Sequence, residues 1–255
     1  MANFINTVTP PYSLLLITLI GLAFLGCEDD NTTGQEDQQT FTPIIEGRKV
    51  YISGFYQDST LDQMVACYWL DGIRVDLEYG AAEAITVQNG DVYVAGQWFD
   101  ATGWNGEACY WINGIRYDLQ GGENPDVEVT GIAVDNGDVY VSGVRSDGSM
   151  FGTNACYWKN GNVNNVSRNS SFGNSWGATA FGIFLDGNDV YLAGYNAIVN
   201  KFDIGCKWKN GNLHELSGST ANEQQTWLYD IAVANDVKIT VGFYYTFIED
   251  YNDPL

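Results

Sequence analysis

The chain has 255 residues, 45% hydrophobic, 14% aromatic and 17% charged, with 29 Gly against 5 Pro, a composition that can bury a core. Eleven Lys plus Arg against 32 Asp plus Glu give a net charge of -21, which repels phosphate backbones and excludes nucleic acid as a partner. A single histidine, His214, removes most histidine-based catalytic and metal constellations.

Leu14 to Leu25 (LLLITLIGLAFL) form an apolar run of 12 residues. That is too short for a bilayer, which takes about 20, and it predicts the apolar region of a signal peptide over 1–26. Phe24-Leu25-Gly26-Cys27 resembles a lipobox, which implies cleavage before Cys27 and a lipid anchor on that cysteine as the only membrane contact. The alternative is an ordinary secretory signal beside an unrelated cysteine. Residues 27–43 carry five acids and no base after the cysteine, and predict a flexible acidic tether. An acidic stretch after the lipid cysteine resembles the export tag of surface lipoproteins, which implies an exported protein of the cell envelope, on the outer membrane and at the cell surface.

From residue 44 onward one unit recurs. VYISG (50–54), VYVAG (92–96), VYVSG (139–143), VYLAG (190–194) and KITVG (238–242) end in glycines spaced by 42, 47, 51 and 48 residues. A second block follows each of the first four: Ala66-Cys67-Tyr68-Trp69, Ala108-Cys109-Tyr110-Trp111, Ala155-Cys156-Tyr157-Trp158 and Gly205-Cys206-Lys207-Trp208. Asn89-Gly90, Asn136-Gly137 and Gly187-Asn188 precede the VYVAG strands, while Asp71-Gly72, Asn113-Gly114, Asn160-Gly161 and Asn210-Gly211 follow the tryptophans. Such dipeptides make tight hairpin turns. Each unit is therefore predicted to hold two hairpins, strands a-b and c-d.

Four antiparallel strands per 40 to 50 residues, in tandem, resemble the blade of a β-propeller of the kelch-like and related bacterial repeats. The resemblance implies an all-β fold with four complete blades (44–80, 81–122, 123–172, 173–220) and a partial fifth (221–255), closed as an irregular ring or part of a larger propeller. A solenoid of stacked sheets is the structural rival.

Cys67, Cys109, Cys156 and Cys206 occupy equivalent places in successive units, farther apart than the roughly 7 Å a disulfide bridges, and are expected to be free thiols filling the core. Trp69, Trp111, Trp158 and Trp208 are expected to fill the wedge between neighbouring sheets. His214 falls at a variable strand position with no nucleophile in reach. The acid-and-amide turns Asp135-Asn136-Gly137-Asp138 and Asp186-Gly187-Asn188-Asp189 bring calcium to mind, but turn chemistry accounts for them and neither continues as a calcium loop. No metal and no cofactor is expected.

Tight turns on one face leave the longer b-c loops and d-to-a crossovers on the other, where binding normally resides. Those segments hold Trp98, Phe99, Trp104, Phe151, Trp176, Phe202 and Trp227 beside Asp100, Asp147 and Asp203. Aromatic platforms beside carboxylates suit the apolar faces and hydroxyls of neutral sugars, or the anchors of a protein partner. With five acids in the tether, the repeats keep a charge of -16, which disfavours acidic glycans. The reading is a non-catalytic binding or scaffold module. Its alternatives are a polysaccharide-active enzyme, with acids such as Asp100 and Asp147 paired across the face, and a structural piece of a larger surface protein.

Overall fold

The structure is a computed structural model that describes residues 49–60, 63–100, 106–122, 127–146, 152–166, 175–198, 202–215, 224–234 and 237–246, all within one unit spanning 40–255. Cys27 and the segments 1–26 and 27–43 lie outside the described residues. The fold is all-β, and its 16 strands follow the repeat.

The first unit contributes β1 (Tyr51–Asp58), β2 (Gln63–Leu70) and the beginning of β3 (Ile73–Gln88). β3 runs through the expected boundary at residue 80: its first half pairs with β2 and its second half, from Gly80, pairs with β4 (Asp91–Phe99). One strand therefore serves as d of the first unit and a of the second. Gly80 permits this with φ 148°, and a Cβ there would strike the Gln97 carbonyl. β5 (Gly106–Ile112) and β6 (Ile115–Asp118) complete the second unit.

The third unit is β7 (Glu128–Asp135), β8 (Asp138–Ser146), β9 (Thr153–Lys159) and β10 (Asn162–Asn165). The fourth is β11 (Ser175–Asp186), β12 (Asp189–Ile198), β13 (Ile204–Lys209) and β14 (Asn212–Glu215). β15 (Gln224–Ala234) and β16 (Val237–Thr246) form the last, a two-stranded antiparallel pair. The sequence predicts four complete units. Among the described residues three show all four strands, and the first shows three.

Local chemistry explains the hairpins. Asp71, Asn89, Asn113, Asn136, Asn160 and Asn210 all have φ near 50°, each followed by a glycine with positive φ, the pair of left-handed residues that a type I′ turn needs. At Gly187-Asn188 only the glycine is positive, as in a type II′ turn. The residue opening each c-d turn also ties the two hairpins of its unit together. Asn160 Oδ1 accepts from Val139 N–H at 2.8 Å, its Nδ2 donates to Asp138 at 2.8 Å, and its own N–H donates to the Val139 carbonyl at 2.8 Å. Asn113 and Asn210 repeat all three bonds, and Asp71 repeats the two backbone ones with Val50.

Each a strand carries one bulge at the same place: Glu83 in β3, Thr130 in β7, Phe181 in β11 and Tyr229 in β15. The bulge brings strand a hard against the glycine closing strand b, where a Cβ on Gly96, Gly143, Gly194 or Gly242 would strike a strand-a carbonyl. That close approach is why VYVAG ends in glycine.

The cores lie between units rather than within them. Trp111 is buried with Val94, Cys109 and Ala82 of its own unit against Ala66, Tyr68 and Leu77 of the first. Trp158 sits with Val141, Ile132 and Val129 against Tyr93, Ala95 and Tyr110 of the second. Trp208 packs with Leu192 and Ala180 against Ala155 and Val166 of the third. Leu228, Ile231 and Val233 of the last unit cover Tyr191 and Ala193 of the fourth. Strand alternation explains this: residues i and i+2 share a face, so every sheet presents a tryptophan face to the unit before it and a tyrosine face to the unit after.

Candidate functional site

The sequence-predicted aromatic face divides on inspection. Trp104 and Phe151 lie outside the described residues, as does Asp147. Trp176 falls within β11 at a register shift between Ser175 and Gly177. Trp98 and Phe99 end strand β4 rather than standing on a loop, because pairing continues to Gly106 and Glu107 of β5. Trp98 is half-buried, with the Arg116 guanidinium 4.3 Å over its ring. Arg116 in turn pairs with Asp118 at 3.0 Å and Glu78 at 3.4 Å, and Glu78 accepts from Trp111 Nε1 at 3.3 Å. One face of Trp98 is thus committed to a joint between the first and second units.

Trp227 lies in β15 and gathers the other aromatics. Its ring stacks on Tyr195 of β12, with centroids 4.9 Å apart and planes 15° from parallel, and it meets Phe243 of β16 at 5.3 Å and Phe181 at 6.5 Å. Tyr229 closes the group, 5.3 Å from Phe181 and 5.6 Å from Phe243. All five side chains are half-buried, so the cluster packs internally and still meets water. The fold places them together because Phe181 and Tyr229 are the bulge residues of consecutive a strands, while Tyr195 and Phe243 each follow the glycine that closes strand b.

Asp203 anchors the cluster. Its carboxylate accepts from Trp227 Nε1 at 2.8 Å and from Gln225 Nε2 at 3.2 Å, and its carbonyl accepts from Thr226 N–H at 2.9 Å. Burial pushes this carboxyl above the ordinary aspartate value, and the two side-chain donors oppose the rise. Phe202, beside it, is half-buried. Across the joint, Asp230 is likewise pushed up by desolvation, opposed by the Ile231 N–H that donates to it at 2.8 Å.

Farther along the a strands stands a carboxylate the sequence reading passed over. Glu83, the bulge residue of β3, reaches solvent, yet the surrounding protein and then the charge of Glu128 push its carboxyl up. Only alignment of the bulges exposes the series Glu83, Thr130, Phe181 and Tyr229. Thr130 donates to the Ala180 carbonyl at 2.8 Å and joins the third unit to the fourth.

The repeated cysteines are buried free thiols. Burial raises Cys67 to about 11 and Cys156 to about 12, and raises Cys109 further, so none offers a thiolate nucleophile near neutrality. Trp69 is half-buried, whereas Trp111, Trp158 and Trp208 are fully enclosed. His214 is exposed on β14, opposite Lys207. Among the described residues no three His, Cys, Asp or Glu side chains are grouped to hold a metal ion.

Fold and site together define an all-β tandem-repeat protein with an aromatic cluster at the joint of its fourth and last units. No protein-family model matches the chain, and a search of curated proteins finds no match. Among solved structures it is similar to Drosophila Semaphorin 1b, extracellular domains 1-2, at 9% sequence identity and a TM-score of 0.33, over 64% of this chain and 40% of that one. The chain therefore spans less than half of that structure's length.

Proposed function

We propose that the chain is a lipid-anchored protein of the cell envelope whose repeats form a β-propeller, and that it serves as a non-catalytic module binding a neutral glycan or a protein. The observation that supports binding is the Trp227 cluster: five half-buried rings, one indole held at 2.8 Å by the Asp203 carboxylate. Flat apolar faces beside a fixed carboxylate match the alternating C–H faces and hydroxyls of a sugar ring. The net charge of -21 selects against uronic-acid polymers.

The test is an array of neutral glycans and envelope proteins probed with the 255-residue chain and with Trp227→Ala, Tyr195→Ala and Trp98→Ala. Loss of binding on Trp227→Ala and Tyr195→Ala, with Trp98→Ala binding as the parent does, is the expected outcome. Binding that survives both cluster changes refutes the site. A second reading, a polysaccharide-active enzyme, draws support from Glu83, whose carboxyl is raised beside Glu128. It predicts new reducing ends from a neutral polysaccharide, lost on Glu83→Gln. The anchor is tested separately, by metabolic labelling with a fatty acid that Cys27→Ser should abolish.

A further inference from the structure

The four cores are four copies of one joint. On one side stand the tyrosine-face residues of a b strand, such as Tyr93 and Ala95; on the other stand a tryptophan and the residue paired across from it, such as Trp111 and Val94. Both halves of that joint also occur uncovered. On β16, Ile239 and Val241 take the places of Tyr191 and Ala193, yet they are 57% and 55% exposed where Tyr191 and Ala193 are 3% and 0% exposed. On β1, Ile52 is paired across from Trp69 as Val94 is from Trp111, yet Ile52 is 43% exposed and Val94 1%.

The two open halves are complementary, and both are open in the same chain. The packing of a strands runs from β3 to β7, β11 and β15, and no strand packing of that extent returns from β15 or β16 to β1 or β2. We infer that a second copy of this chain covers them, the Ile52–Trp69 face of one copy docking on the Ile239–Val241 face of the next, head to tail. The contact would extend an interface that the chain already makes between its own units. It is heterologous, so it closes into a ring of copies or continues as a row, according to the rotation it imposes. At a charge of -21 per copy the copies repel at long range, and association should strengthen as salt screens them.

Sedimentation velocity of the 255-residue chain in non-ionic detergent at physiological salt tests this. The parent should sediment at no less than twice the mass of one chain. Ile52→Glu and Val241→Glu, each of which buries a charge in one half only, should be monomeric alone, with far-UV circular dichroism and unfolding midpoint reporting that each is folded. Mixed in equal amounts they should recover dimers and nothing larger, because one intact pair of faces remains. Ile52→Thr and Val241→Thr keep the β-branch and should weaken association about tenfold should the charged variants fail to fold. A monomeric parent at all salt concentrations, an assembly that both charged variants leave intact, or folded variants that do not pair on mixing would each overturn the inference.

Discussion

Asn160 meets two demands that a hairpin turn makes on one residue. Its φ of 49° suits asparagine better than a residue with a bulkier or apolar side chain, and its amide holds Val139 and Asp138 of the other hairpin at 2.8 Å each. Asn160→Gly keeps the conformation and loses the clip, and should cost about 1 kcal/mol. Asn160→Ala loses both, and should cost about 2 kcal/mol. Equal urea midpoints for the two variants would show that the amide contributes nothing beyond its backbone angle. The thiols set a second expectation. Folding raises Cys67 from 9.0 to about 11 and Cys156 to about 12, so the folded state keeps protons that the unfolded chain releases. The stability they contribute is fully present below pH 9 and is lost as pH rises through 11 and 12. An unfolding midpoint that falls steadily above pH 9 is expected, and one that holds to pH 11 would contradict it.

At the scale of strands, the tryptophan of each c strand belongs as much to its neighbour as to its own sheet. Trp158 is fully enclosed, and its indole donates to the Gln120 carbonyl of the preceding unit at 3.0 Å. Trp158→Ala should cost about 3–5 kcal/mol, and Trp69→Ala clearly less, since Trp69 remains half-exposed. Thermal unfolding of the two variants decides, and equal losses would refute joint packing as the source. These strands were readable in the sequence because turn dipeptides and period-two alternation act between near neighbours. The bulges were not, because Glu83, Thr130, Phe181 and Tyr229 share a backbone irregularity and no chemistry. The site was half readable. Trp227 and Asp203 stood out as an aromatic and an acid, but no turn dipeptide marks where strand a begins, so Trp227 was placed on a crossover and not in β15. Its stacking partner Tyr195 precedes it by 32 residues, a contact only the packing of consecutive units creates.

At the scale of the molecule, acidity opposes compactness. The repeats carry most of a net charge of -21, and ion pairs such as Lys159–Asp138 at 2.8 Å and Lys209–Asp189 lie at the surface, where they add little. Raising sodium chloride from low to physiological concentration should raise the melting temperature by screening the repulsion. A melting temperature that drops instead would show that attractive pairs outweigh it.

Because every core is shared by two consecutive units, the unit that a genome can copy is not the unit that buries a core. A duplicated stretch inserted between the second and third units would bring one tryptophan face and one tyrosine face, and would find the matching face waiting on either side. Recombination between repeats can therefore lengthen or shorten such a chain without stranding apolar surface at the splice. The glycine spacings of 42, 47, 51 and 48 fit a history in which loops drifted in length while the joints stayed interchangeable.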